Sequence, residues 1–371
     1  MLRDYRDYES FDHAFISLSR QLIAVETSDS TKGCFLSAPR GQEIKEMLAV
    51  PFVLKNPRHR VLGLPARKFS TEYLAAELVW YFSGQNQCSW IERHASFWSN
   101  IKNEDGSLNS AYGDRIFNRG IFKGGPRVTT GLLDRNQWQM VLDELRKDPD
   151  SRRAVIHIRT IDDGFDAKDV PCTLSLQFLL REGALDLIVH MRSNDLVLGS
   201  CYDVPAFTIM QEVMANDLGV KLGRYYHIAN SLHVYSQHYE MARKAAAEDF
   251  HSYRTSNGNK NVAMSPLEHH ATIATIRTWA GALYRMDELE LEGYVRGGFS
   301  PAVIEQGITN AYKRVVNSCD VRLIRDMARL LASSALKRSA KENPSWSTEL
   351  NEYRNRIWQE IEDPSLKACT R

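Results

Sequence analysis

A chain of 371 residues, 43% of them hydrophobic, is long enough to bury a substantial core without covalent staples, as one large domain or two modest ones. Lysine and arginine number 47 against 46 acidic residues, so no overall field steers the protein toward nucleic acid and any anion site has to be local. The six cysteines, at 34, 88, 172, 201, 319 and 369, form neither CxxC pairs nor Cys/His clusters of zinc spacing, which argues against a disulfide framework and against a metal.

The charged opening Met1-Leu2-Arg3-Asp4 is unlike a signal peptide, and no stretch approaches the ~18 apolar residues of a membrane span. A cytoplasmic protein in a reducing compartment is expected, with no membrane partner. Residues 11–26 carry Phe15, Ile16, Leu18, Leu22 and Ile23 at helical spacing, which predicts an amphipathic opening helix; 27–33 reads as a loop. Residues 44–60 mix short apolar runs with Pro51 and Pro57, predicting strands joined by turns. Over 71–83 the pattern predicts a strong helix capped by Ser70 or Thr71, with Leu74, Leu78, Trp80, Tyr81 and Phe82 as its apolar stripe.

Asp105-Gly106 marks a turn within 103–109, and 136–147 reads as a helix stopped by Asp148-Pro149-Asp150. After the β-branched run 154–158, residues 174–180 and 185–191 predict two strands joined by the tight turn Arg181-Glu182-Gly183-Ala184. Helical periodicity returns over 204–218, and 221–228 reads as another strand. From Pro266 onward the pattern is mostly helical, and 315–337 is rich in Leu, Arg and Ala with no recognisable chemistry. No repeat, low-complexity run or linker interrupts the chain. The expected organisation is an α/β catalytic domain over 1–264 with a helical extension over 265–371 packed on it.

Several residues can carry chemistry. Cys172 in Asp169-Val170-Pro171-Cys172 is a nucleophile only as thiolate, and Arg192 could supply the field that lowers its pKa if the next strand turns back toward it. A lone cysteine otherwise reads as a small buried hydrophobe. Arg192-Ser193 offers a guanidinium fork, a hydroxyl and a backbone N–H, a set suited to a phosphate monoester, and Arg40 in Ala38-Pro39-Arg40-Gly41 adds a further arginine. Arg152-Arg153 reads by itself as solvated surface. Glu77 either faces solvent or, among its large apolar neighbours, is a partly buried carboxylate of raised pKa fit for acid/base work. Trp98 and Tyr112 pass as core aromatics.

With Ala76-Glu77-Leu78-Val79-Trp80-Tyr81-Phe82, Ala111-Tyr112-Gly113, Asp148-Pro149-Asp150-Ser151-Arg152-Arg153, Pro171-Cys172, Arg192-Ser193-Asn194-Asp195 and His233-Val234-Tyr235 taken together, the chain resembles the thymidylate synthase superfamily from about residue 35 to about residue 245. The resemblance implies a thymidylate synthase fold, a mixed β-sheet with flanking helices, and a homodimer packed sheet to sheet. It implies that Cys172 adds to C6 of a pyrimidine nucleotide, so that C5 captures the one-carbon unit of 5,10-methylenetetrahydrofolate. Arg192, Ser193 and Arg40, with Arg152 and Arg153 from the partner subunit, would hold the 5′-phosphate. His233 and Tyr235 would bind the sugar 3′-hydroxyl, and Asp195 would contact the folate or base. Glu77 would order the proton-carrying water, with Trp98 and Tyr112 lining the folate side.

The base-reading position is different. Thymidylate synthases have an asparagine there; this chain has Asp203 in Ser200-Cys201-Tyr202-Asp203. A carboxylate accepts from the 4-amino group of cytosine and opposes O4 of uracil acceptor to acceptor, a mismatch of roughly 1–3 kcal/mol or more. Aspartate here is also what deoxycytidylate hydroxymethylases of the superfamily carry. The implied reaction is therefore 5-hydroxymethylation of CMP or dCMP, in which water, and not hydride from the folate, adds to the exocyclic methylene. The alternatives are a thymidylate synthase methylating dUMP with release of dihydrofolate, and a catalytically idle nucleotide- or RNA-binding relative.

Other positions depart from the family. Asn230-Ser231-Leu232 stands where Gly-Asp-Thr is usual before the His-x-Tyr pair, beside the sugar, so ribose and deoxyribose both stay open. Thr173 follows the nucleophile in place of histidine, Met191 replaces a glutamine, and Lys367-Ala368-Cys369-Thr370-Arg371 lacks the small apolar tail that closes over folate in the synthases.

Overall fold

The computed structural model describes residues 7–118, 136–161, 163–164, 167–250 and 262–369. They fall into two compact units, Met1–Phe69 with Arg115–Met264, and Ser70–Asp114 with Ser265–Arg371.

The first unit is built on an eight-stranded mixed sheet. Its strands are β1 (Asp7–Tyr8), β2 (Cys34–Ser37), β3 (Ile44–Leu54), β4 (Val155–His157), β5 (Thr173–Arg181), β6 (Ala184–Met191), β7 (Asn194–Asp195) and β8 (Lys221–Tyr235). The order is β1-β3-β8-β6-β5-β4, with β2 added to β3 and β7 added to β8. The β5–β6 hairpin turns at Glu182 and Gly183, both left-handed (φ 51° and 73°), which matches the right-handed twist of the flanking strands.

Two strands run on where the sequence pattern breaks. Instead of strands joined by turns, β3 is a single strand through Pro51. On the edge away from β8, β2 covers only 44–47 and β1 only 53–54, so Pro51 lies in the uncovered stretch, where a missing N–H is tolerated. β8 continues past 228 to Tyr235, because its backbone goes on pairing with β3 and β7 while Asn230, Ser231 and His233 interrupt the apolar alternation.

Helix α1 (Phe11–Ile23) is capped by the Ser10 hydroxyl, which accepts from the His13 N–H at 3.2 Å. The other labelled helices are α2 (Thr71–Ser83), α3 (Cys88–Ile91), α4 (Tyr112–Phe117), α5 (Gln137–Lys147), α6 (Ser200–Leu218) and α7 (Tyr239–Ala247). α6 starts four residues before its predicted position, and Pro205 lies inside it. It lies against β6 and β8, where Phe207, Met210, Val213, Phe178, Leu187 and Val189 make a fully buried core. On the opposite sheet face, Leu179, Ile188, Tyr226 and Ile228 are only half-buried.

The second unit is helical. α2 is capped by the Ser70 hydroxyl, accepting from the Tyr73 N–H at 3.1 Å, and ends at the left-handed Gly84. It is buried on nearly all sides, so its amphipathic stripe is lost in an almost wholly apolar helix. The helices Ile273–Arg285, Pro301–Ser318, Arg322–Glu342 and Ser347–Gln359 follow the helical pattern predicted from residue 266. Buried Asp287 is held by Arg93 and Arg338, each at 3.1 Å, and these cations keep its carboxyl well below the usual range despite burial. Among the described residues no helix is long and apolar enough to cross a membrane.

Candidate active site

In the first unit the β5–β6 hairpin brings Cys172 and Arg192 together. The two residues flank the open end of the hairpin, so a separation of twenty positions along the chain becomes direct adjacency, with the Arg192 N–H donating to Cys172 O at 2.9 Å. The Arg192 guanidinium is fixed by Nε to Pro171 O (2.9 Å) and Nη2 to Val170 O (2.7 Å), and Nη2 lies 3.7 Å from Cys172 Sγ. Burial nevertheless pushes the Cys172 thiol up; Arg192 and Arg40 oppose that shift, while Asp203 and Asp169 add to it. The guanidinium therefore does not generate a resting thiolate.

The short β7–β8 pairing sets Asp195 opposite His233 and Asn194 opposite Leu232. Asp195 Oδ1 accepts from the backbone N–H of Val197 (2.7 Å) and Leu198 (3.0 Å); Oδ2 is buried without a partner. His233 is buried, which lowers its pKa against the pull of Asp195, and its ring meets Tyr235 edge-on at 5.2 Å. Tyr235 in turn lies within the fields of Asp195, Arg40, Cys172 and Arg192. Arg40 is exposed and left-handed (φ 53°) in the loop before β3, and Ser193 links β6 to β7 beside Arg192.

Asp203 occupies the first turn of α6, reached electrostatically by Cys172, and its Oδ2 accepts from Asn194 Nδ2 at 2.9 Å. Asn194 was legible only as part of a motif, and His227 behind it was not singled out at all. Gly199 precedes this turn, where a Cβ would lie 3.1 Å from Asp203 Oδ2. Arg152 and Arg153 are not drawn into this group within the single chain. Both are exposed; Arg153 Nε donates to Glu144 at 3.0 Å, and Arg152 O accepts from Gln177 on β5. Of the departures from the family pattern, Asn230 Oδ1 lies 2.8 Å from His190 Nε2 and Ser231 donates to Glu46.

The second unit holds Glu77, Trp98 and Tyr112. Glu77 is 5% exposed, and burial raises its pKa to about 7 even though Tyr73 and Tyr81 donate to Oε1, each at 3.2 Å. Its Oε2 is buried with no hydrogen-bond partner. Trp98 Nε1 donates to the Tyr73 hydroxyl at 3.0 Å, and Tyr112 stacks on Tyr81 at 5.4 Å. The sequence reading passed over Tyr73 and took Tyr81 only as part of an apolar stripe; their spacing of four residues on either side of Glu77 on one helix was the available signal. Gly113 permits the approach of α4 to α2, since a Cβ there would sit 1.9 Å from Tyr81 O.

Within the first unit a thiol lies beside an arginine and in the field of a carboxylate, an arrangement that single motifs only suggest. The family model described as Thymidylate synthase matches residues 52–296. The chain belongs to the thymidylate synthase family. Among curated relatives, the deoxyuridylate hydroxymethyltransferase of Bacillus phage SP01 is 36% identical over 208 residues, which is 54% of this chain and 53% of that protein. The chain thus spans about half the length of this relative. Among solved structures, the thermostable thymidylate synthase A from Bacillus subtilis aligns with a TM-score of 0.52 at 22% identity, covering 65% of this chain and 85% of that one. The thymidylate synthase fold expected from the sequence is therefore present. No group of three or more His, Cys, Asp or Glu side chains that could hold a metal occurs among the described residues.

Proposed function

We propose that the protein is a one-carbon transferase that 5-hydroxymethylates a cytidine 5′-monophosphate, CMP or dCMP, with 5,10-methylenetetrahydrofolate and water. The observation that carries this reading is Asp203, a carboxylate within electrostatic reach of Cys172 whose Oδ2 accepts from Asn194. Cytosine offers an amino group at position 4 and uracil an acceptor, so a carboxylate there favours cytosine.

In this reading the Cys172 sulfur adds to C6 and charge builds at C5 and along N3, where Asp203 accepts from the 4-amino group and shares a proton with N3. Arg192, Ser193 and Arg40 hold the 5′-phosphate, and His233 and Tyr235 hold the sugar 3′-hydroxyl. The folate, when bound, supplies the one-carbon unit at C5. Asp195 suits a folate or base N–H, because its buried Oδ2 is an acceptor with no partner. Loss of the C5 proton with cleavage of the bond from the one-carbon unit to the folate nitrogen would release tetrahydrofolate and leave an exocyclic methylene on the pyrimidine; water adds to that carbon, the C6–S bond breaks, and no reductant is consumed. Glu77, poised near neutrality and carrying an unpartnered oxygen, is the group we assign to that water and its protons, with Trp98 and Tyr112 as folate-side aromatics.

We infer a homodimer through the sheet face that leaves Leu179, Ile188, Tyr226 and Ile228 half-exposed, with Arg152 and Arg153 reaching the partner's phosphate. A second reading, deoxyuridylate hydroxymethylation, is favoured by the activity named for the phage relative. Incubation with CMP, dCMP, UMP or dUMP plus methylenetetrahydrofolate, with products identified by mass, tests both. A cytidylate gaining the mass of a hydroxymethyl group is expected; turnover of a uridylate alone rejects the cytidylate assignment, and a methylated product with dihydrofolate rejects hydration.

A further inference from the structure

Behind Asp203 lies a polar chain with no exposure to speak of: Tyr225, His227 and Ser200 are 0% exposed and Asn194 is 2% exposed. Buried polar groups in such a place persist only when each finds a partner. The Tyr225 hydroxyl lies 2.8 Å from His227 Nδ1, and His227 Nε2 lies 3.1 Å from Asn194 Oδ1. The Ser200 hydroxyl donates to the same Oδ1 at 2.5 Å, and Asn194 Nδ2 donates to Asp203 Oδ2 at 2.9 Å.

The direction of every proton in this chain follows from its two ends. Asn194 Oδ1 can only accept, so the neutral His227 ring carries its proton on Nε2 and takes the Tyr225 O–H at Nδ1. Burial pulls the His227 pKa down to about 3, so the ring has a single proton to place. Turned over, the Asn194 amide would set its oxygen against the Asp203 carboxylate, acceptor to acceptor, so the bond to Asp203 fixes the amide and through it the His227 tautomer. Phe52 stacks on the His227 ring at 4.7 Å and holds it in plane. A Cβ at Gly199 would lie 3.4 Å from Asn194 Nδ2 as well as 3.1 Å from Asp203 Oδ2, so the backbone closes the other side.

We propose that Asn194 is a specificity-determining positioning residue: the relay from Tyr225 through His227 to Asn194 pins one oxygen of Asp203 and sets the rotation at which the carboxylate meets the pyrimidine edge. The proposal rests on the reading of Asp203 as the base-recognising group. An amide locked in one orientation keeps the carboxylate aimed. A loosened one lets the carboxylate rotate, and the contrast between a 4-amino group and a 4-oxo group blurs. The residue, 2% exposed, acts through Asp203.

The test measures kcat/KM for the cytidine and uridine monophosphates with the full chain and with Asn194→Ala, His227→Phe and Tyr225→Phe, together with the 15N signals of the His227 ring. Asn194→Ala and His227→Phe are expected to reduce the cytidylate-to-uridylate ratio at least tenfold, Tyr225→Phe to reduce it less, and the wild-type ring to be protonated on Nε2. Equal losses for both bases, leaving the ratio unchanged, would show a merely structural role and overturn the proposal; so would a ring protonated on Nδ1. If Asn194→Ala does not fold, His227→Phe, which keeps the stack on Phe52, decides the question. The wild-type preference by itself tests the cytidylate reading: an enzyme that prefers uridylate removes that reading, while the change in ratio among the variants still decides whether Asn194 governs base choice.

Discussion

Asp203→Asn changes one oxygen to an NH2 without changing volume, so it isolates hydrogen-bond polarity at the base-reading position. In the folded chain Asn194 Nδ2 donates to Asp203 Oδ2 at 2.9 Å. An asparagine at 203 satisfies this donor only by turning its own oxygen toward Asn194, which leaves its NH2 for the pyrimidine. That NH2 suits O4 of uracil and opposes the 4-amino group of cytosine. The loss of a charge-assisted bond to cytosine removes about 1.5–3 kcal/mol, and facing two donors adds about 1–3 kcal/mol of unpaired desolvation. The swing in relative kcat/KM is then about 2.5–6 kcal/mol, on the order of 10²- to 10⁴-fold toward uridylate. Steady-state kinetics with matched cytidine and uridine monophosphates measure it, with thermal unfolding as the control for an intact fold. A ratio that stays within about threefold of wild type would refute base reading by Asp203, because even a single neutral hydrogen bond is worth about that much.

Cys172→Ala should abolish turnover while nucleotide binding, followed by calorimetry, stays measurable; undiminished turnover would exclude a covalent mechanism. Because burial and two carboxylates raise the Cys172 pKa above its ordinary value, alkylation by iodoacetamide should be slow at pH 7 and accelerate into the alkaline range, as peptide mass mapping of the labelled site would show. Glu77 keeps its proton in the folded state up to about pH 7 but loses it near 4.5 when unfolded, so the unfolded chain binds fewer protons in between and stability falls as pH rises through that window. Glu77→Gln should flatten this part of the denaturation-versus-pH curve and stop turnover; an unchanged slope would place Glu77 in water. Gly113→Ala would force a Cβ to 1.9 Å from Tyr81 O and should cost about 3 kcal/mol or more, read as a drop in the denaturation midpoint.

The sequence spoke most clearly where local physics decides the outcome. A Glu-Gly turn between two alternating runs made the β5–β6 hairpin, and a serine cap began α2. It spoke less clearly where pairing overrides composition, as in β3 passing through Pro51 and β8 passing through Asn230 and Ser231. The thiol, the arginine beside it and the carboxylate at 203 stand out in the sequence because their spacing matches a family pattern. Their supports do not: Tyr73 and Tyr81 looked like ordinary members of a buried helix, and Asn194 meets His227 only through the fold, 33 positions apart. Polar groups that partner one another inside the protein leave no periodic trace in the chain.

β8 has a consequence for how this protein can change over generations. Tyr225, His227, His233 and Tyr235 occupy odd-numbered places on one continuous strand that is laced to β3, β6 and β7. Because side chains alternate with a period of two, inserting or deleting one residue between 225 and 235 would turn part of that row to the opposite face. Length variation is thereby confined to the connecting loops, and the strand can diversify only by exchanging one side chain for another in place.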